Sequence, residues 1–175
     1  DMHYFGHDLT FTKRERFSKQ QYMDFFAKAH GKAIGEASVW YLFSTHAAQE
    51  IQRFDPNMRI VIMLRNPVHM IYAHYTQMRF NGLGDEDQAT FDLALAKEQA
   101  RSEGRELPHD TPLPQALLYR QIGCFAPQLQ RYFDCFPREQ LHIIVQEEMR
   151  QDTAACYRQC LEFLAVDPDF APSFS

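Results

Sequence analysis

The sequence predicts an α/β domain built on a mainly parallel sheet flanked by helices. Three observations carry that expectation: a continuous β-rich apolar run, Arg59 to Leu64 (R-I-V-I-M-L); a second buried-strand candidate, Leu141 to Val145; and helically spaced apolar residues in the segments around them. A strand apolar on both faces belongs inside a parallel sheet whose sides are covered by helices. Strands alternating with helices give the α/β pattern.

Asp1 stands in what reads as the end of a strand. Ser18 reads as the N-cap of a helix from Lys19 to Ala29, where Tyr22, Phe25, Phe26 and Ala29 recur at helical spacing, and Gly31 ends it. Lys32 to Glu36 reads as a short strand. Ser44 or Thr45 caps a helix through Ala47, Ala48, Ile51 and Phe54 that stops before Pro56. Directly after the Arg59 to Leu64 strand comes Arg65-Asn66-Pro67. Pro67 suits the first turn of a helix running to Phe80 and ending at Gly82. Residues 81–89 form a turn-rich loop, and a helix follows from Thr90 to Arg101. A surface loop with three prolines occupies residues 102–114. Gln115 to Phe136 reads as helical, with Pro127 marking a kink or a break. After the Leu141 to Val145 strand, Asp152 caps a last helix through Ala155, Leu161 and Leu164.

The 175 residues, 45% hydrophobic, suffice for one core, so a single domain over 1–175 is expected. A net charge of −5 argues against a general nucleic-acid binder, whose footprint is basic. No apolar run approaches the roughly 20 residues of a membrane span, and the start lacks the features of a signal peptide. The four cysteines, Cys124, Cys135, Cys156 and Cys160, form no C-x-x-C pair, which favours a reduced, cytoplasmic setting; Cys156 and Cys160, four apart on a helix with no histidine partner nearby, read as buried apolar thiols rather than a metal site. No metal is expected. The first residue is not Met, and the last five read as loop, so the domain is expected to continue beyond both ends.

In an open α/β sheet, ligands sit beyond the carboxyl ends of the strands, which makes Arg65-Asn66-Pro67 the turn to inspect. An arginine just before a helix N-terminus suits a phosphate, since its fork and the backbone amides converge on one anion. A structural arginine paired with a surface carboxylate explains the same residue equally well.

The wider string resembles the sulfotransferase family, especially bacterial relatives of the heparan sulfate and carbohydrate enzymes. The resemblance rests on Ile34-Gly35-Glu36-Ala37-Ser38, Tyr41-Leu42-Phe43-Ser44, Ala47-Ala48 and Ile60 to Tyr75, against the family's G-E-x-S/T segment and its run L-R-N/D-P-V-x-x-x-x-S-x-Y. Phe136 to Leu141 and Cys160 to Val166 are similar to its closing strand and helix.

The resemblance implies a P-loop nucleotide-kinase-like fold. In such a fold a sulfuryl group passes from 3′-phosphoadenosine 5′-phosphosulfate (PAPS) to a hydroxyl or amine of a small-molecule or glycan acceptor. It assigns the cofactor's 3′-phosphate to Arg65, with Asn66 nearby. Ala73, eight residues after Arg65, replaces the family's serine partner. The family's phosphosulfate-binding loop falls upstream of Asp1. Asp1 takes the register of the family's carboxylate base. His3 is the runner-up, two residues along a strand and so on the same face. Ser38, Trp40 and Tyr41 stand at the acceptor rim, with Ala37 where some glycan enzymes carry lysine. His69 and His74 are expected at the surface, and Lys13, Arg14, Arg16 and Lys19 as a solvated basic face. Two alternatives stay open: a kinase of the same fold, and a nucleotide-binding module without transfer activity, the latter motivated by Ala73 and Ala37.

Overall fold

The computed structural model describes residues 2–13, 15–29, 33–81, 85–170 and 172. Its frame is a pair of parallel strands, β1 (Ile60–Leu64) and β2 (Leu141–Val145), in the register Ile60↔Leu141 to Leu64↔Val145. The helices, in chain order, are α1 (Lys19–Asp24), α2 (Ala47–Phe54), α3 (Pro67–Asn81), α4 (Phe91–Ser102), α5 (Tyr119–Gly123), α6 (Phe125–Cys135), α7 (Gln146–Met149) and α8 (Thr153–Leu164). A 3-10 turn, Pro114–Leu117, precedes α5.

Local chemistry sets most boundaries. Ser18 closes a capping box with Gln21 at the start of α1, Thr90 Oγ1 accepts from the Leu93 amide before α4, and Asp152 accepts from the Ala155 amide before α8. Ser44 lies two residues ahead of the N-cap of α2, His46, yet its Oγ accepts from the His46 and Ala47 amides at 3.1 and 2.9 Å. Gly123 lets α5 meet α3: a Cβ there would lie 2.9 Å from Ile71 Cγ2.

The main core lies on one face of the sheet. There Ile62 and Leu141 pack with Ala47, Ala48 and Ile51 of α2, Tyr132 and Phe136 near α6, Tyr22 of α1 and Phe5. A second cluster joins α3, α4 and α5 through Tyr75, Ala94, Leu117 and Tyr119. Val61 and Met63, on the other face of β1, are 37% and 57% exposed.

Four expectations are corrected. Residues 33–36 are not a strand, and Met2 to Phe5 are not one either, so the strand alternation invoked for His3 does not hold. The first helix stops at Asp24, its continuation to Ala29 being turns. The 115–136 segment breaks at Cys124 rather than at Pro127. Pro127 instead sits in the first turn of α6, where a missing N–H leaves no helical bond unmade. Gly31 and Gly82, expected to end two helices, lie outside the described residues.

Candidate functional site

Arg65 and Asn66 form the turn between β1 and α3, at the carboxyl end of the strand. Asn66 Oδ1 accepts from the amides of Val68 and His69 at 3.0 and 3.2 Å, so its side chain caps α3 and satisfies two of the amides exposed at the helix start. Its own amide donates to Glu147 Oε1 at 3.0 Å, tying the turn to α7 just beyond β2. That amide holds the Glu147 carboxyl below its ordinary value, and the charges of Arg65 and Arg150 act in the same direction. Arg65 is half-buried, and its Nε is buried without a hydrogen-bond partner. The Nε–H at the carboxyl end of the strand is thus a charged group's donor with no hydrogen bond made.

Ala73 lies two turns along α3, exposed, beside an open depression of about 590 Å³ lined by Tyr72, Ala73, Thr76, Gln77 and Phe80. Its methyl offers no hydrogen bond. Arg65, Asn66 and Ala73 thus share one strand-turn-helix unit.

Asp1 lies outside the described residues. His3 is buried, with its backbone in the left-handed region at φ 48 and its ring 4.6 Å from that of Phe11. Its amide donates to Ser38 Oγ at 3.1 Å, and the amides of Tyr4 and Phe5 donate to Tyr41 Oη at 2.9 and 3.3 Å. The structure therefore brings His3, Ser38 and Tyr41 together. The hydroxyls of Ser38 and Tyr41 turn inward onto Glu36 rather than outward to a rim. Burial and the Glu36 carboxylate push the Tyr41 phenol up to about 12, with Ser38 and the Phe5 amide opposing. Trp40 is apart from these three, half-buried against Phe43 and His74 near the Leu9, Leu113 and Ala116 cluster.

Several roles were not visible in the sequence. Arg16, expected in a solvated face, clamps a loop from inside: its guanidinium donates to the carbonyls of His3 (2.9 Å), Phe5 (3.1 Å) and Leu9 (2.8 Å), and to that of Gly6. Arg14 of the same patch lies outside the described residues. His74 is not a surface residue; burial lowers its pKa, and its Nε2 sits 2.8 Å from the Ala116 carbonyl. His69 is exposed, as expected. All four cysteines are free thiols; Cys156 and Cys160, expected to be buried, are only half-buried, and Cys124 is exposed. Among the described residues no group of three His, Cys, Asp or Glu is placed to hold a metal ion, and no helix is long and apolar enough to cross a membrane.

A family model described as "Sulfotransferase domain" matches residues 3–169. A human protein, bifunctional heparan sulfate N-deacetylase/N-sulfotransferase 2, is 27% identical over 151 residues, which cover 84% of this chain and 16% of that protein. Human carbohydrate sulfotransferase 15 is 24% identical over 196 residues, covering 89% of this chain and 35% of its own length. The chain therefore spans about a sixth to a third of these curated relatives. A crystal structure of a sulfotransferase from Alicyclobacillus acidocaldarius superposes with a TM-score of 0.83 at 32% identity, covering 98% of this chain and 70% of that one. The fold is the α/β, P-loop nucleotide-kinase-like class, with a parallel sheet flanked by helices.

Proposed function

The chain belongs to the sulfotransferase domain family, and on that premise we propose that it transfers a sulfuryl group from PAPS to a hydroxyl or amine of an acceptor, a carbohydrate. The observation that carries this reading is Arg65, whose buried Nε has no partner at the turn between β1 and α3. Leaving such a donor unmet costs about 1–3 kcal/mol, and more when charged, so the residue present fits an anionic ligand. When bound, the co-substrate supplies the sulfuryl group, with a 3′-phosphate for Arg65 to hold. Asn66 acts by capping α3 and fixing the turn on which Arg65 stands. Ala73 leaves one contact to that phosphate unmade.

On the acceptor side, Asp1 is the base candidate by resemblance to the family and His3 the second. Either would take the acceptor proton as the new S–O or S–N bond forms and the bond from sulfur to the bridging phosphate oxygen breaks, releasing 3′-phosphoadenosine 5′-phosphate. Ser38 and Tyr41 serve that segment by holding its backbone, and Trp40 is the aromatic surface of the three. A carbohydrate acceptor is supported by the names of the relatives, which include a heparan sulfate N-sulfotransferase and a carbohydrate sulfotransferase. A cytoplasmic setting is part of the same reading, resting on the four free thiols.

Calorimetry with 3′-phosphoadenosine 5′-phosphate on the full-length protein tests the assignment. Arg65→Ala should weaken binding by about 1.5–3 kcal/mol, roughly 13- to 160-fold, and should matter much less for adenosine 5′-phosphate. Equal losses for both nucleotides would remove Arg65 from the 3′-phosphate. A module that binds without transferring, the reading favoured by Ala73 and Ala37, would show nucleotide binding with no turnover on any acceptor.

A further inference from the structure

Residues 3–7 form neither helix nor strand, and their amides find their partners on side chains. The His3 amide reaches Ser38 Oγ, and the Tyr4 and Phe5 amides reach Tyr41 Oη. Both hydroxyls then converge on a single carboxylate: Ser38 donates to Glu36 Oε2 at 3.0 Å and Tyr41 to Glu36 Oε1 at 2.7 Å. Tyr22 Oη also donates to Glu36 Oε1, at 3.2 Å, but accepts from no amide of the segment. An ionised carboxylate only accepts. It therefore draws the one proton of each hydroxyl toward itself and leaves the oxygen lone pairs facing the His3, Tyr4 and Phe5 amides. His3 meanwhile holds a left-handed backbone, uncommon for a residue with a side chain, and such geometry persists only where its surroundings over-determine it.

We propose that Glu36 is a positioning residue which, through the hydroxyls of Ser38 and Tyr41, fixes the backbone of His3 to Phe5 on the acceptor side of the transfer site. The role rests on reading the start of this chain as the base-bearing segment of a sulfotransferase. Glu36 touches no reacting atom; it sets where the base stands.

Three variants of the full-length protein separate positioning from simple stability. Tyr41→Phe removes the acceptor for two amides. Glu36→Gln places an NH2 where a hydroxyl donates, so that Ser38 or Tyr41 must turn. Tyr22→Phe removes a hydroxyl from the same carboxylate oxygen as Tyr41 does, without touching the segment. The first two should lower kcat by about 10- to 100-fold, the scale of a small misplacement of a reacting group, with the Kd for 3′-phosphoadenosine 5′-phosphate changed less than about twofold. They should also speed hydrogen exchange at the Tyr4 and Phe5 amides. Tyr22→Phe should leave kcat and that exchange as in the parent. Because Glu36 and Tyr41 act as one unit, the double variant should be no slower than the worse single one. Equal damage from Tyr22→Phe and Tyr41→Phe, or multiplied losses in the double variant, would overturn the role. If the parent protein transfers no sulfuryl group, the proposed function falls, while the exchange rates of Tyr4 and Phe5 still decide whether Glu36 holds them.

Discussion

Replacing Arg101 with methionine should be among the most destabilising single changes in this chain, and its cost should depend on pH. The side chains of Arg101 and Glu86 are both 0% exposed. Arg101 Nη1 and Nη2 donate to Glu86 Oε2 and Oε1 at 2.7 and 2.8 Å, and Nη2 also reaches Asp87 Oδ1 at 2.9 Å. Tyr119 Oη adds a bond to Glu86 Oε2 at 2.7 Å, and the Gln88 amide one to Oε1 at 2.8 Å. Burial alone raises the Glu86 pKa, yet the bonds from Arg101, Tyr119 and Gln88 outweigh it and hold the group below its ordinary 4.5. Arg101→Met keeps length and apolar volume but strands a buried carboxylate, a loss of about 3–5 kcal/mol near neutral pH. For a chain of this size that lowers Tm by roughly 6–20 °C.

The sign of the pH dependence follows from the two states of Glu86. In the parent its lowered pKa contributes stability that is present above the unfolded value and is lost only as pH falls through the folded one. In Arg101→Met, burial without the guanidinium raises the folded pKa, so protonation on acidification relieves the stranded charge. The gap between parent and variant should therefore narrow as pH drops from 7.5 toward 5.5. Adding Glu86→Leu to Arg101→Met should recover much of the loss. Urea denaturation at both pH values measures it. A loss below about 1 kcal/mol, or a gap that does not change with pH, would refute the reasoning that an uncompensated buried charge is what destabilises.

Glu147→Gln keeps an oxygen for the Asn66 amide but removes a negative charge near Arg65, so it should tighten binding of the 3′-phosphorylated nucleotide by up to about fivefold, more at low salt; calorimetry that finds weaker binding contradicts it. Ala73→Ser should tighten that binding or leave it unchanged while altering stability by about 0.5 kcal/mol or less at an exposed helix site, and a weakened complex would show that position 73 does not face the phosphate. If Asp1 is the base, Asp1→Asn should lower kcat by roughly 10²–10⁴ with nucleotide affinity nearly constant, and His3→Ala should cost far less; the opposite ranking in steady-state kinetics would move the base to His3.

What could be read from the sequence was whatever neighbouring residues decide among themselves. The caps Ser18, Thr90 and Asp152 bond to amides three residues on, so their signatures are contiguous in the chain. The first strand was legible because five successive apolar residues leave few other choices, the second because four of its five residues are apolar around His142, and the Arg65 turn followed from where the first strand stops. The misses share a different cause. Glu86 and Arg101, Glu36 and Tyr22, and Arg16 and the His3 carbonyl are partners 15, 14 and 13 residues apart, and no local pattern announces such pairs. Residues 33–36 read as the end of a short strand. Yet Ser38 donates to Glu36 and accepts from the His3 amide, and a ladder partner is not what these side chains secure. Gly6 belongs with these misses: its φ of 78 and its approach to Ser44 Oγ, 3.1 Å from where a Cβ would stand, are set by residues far along the chain.

β1 and β2 join residues 81 positions apart, from Ile60 with Leu141 to Leu64 with Val145. Closing a loop of that length costs about 4 kcal/mol of chain entropy beyond a constant, against the near-zero separation of a helical turn. Helices α3 to α6 all lie inside the loop and can form on local contacts, so strand pairing belongs to the slow, non-local part of folding. During synthesis the order is stricter still. Arg65 leaves the ribosome long before Val145 and Glu147, and until those residues emerge its strand has no β2 beside it and the Asn66 amide has no carboxylate to meet.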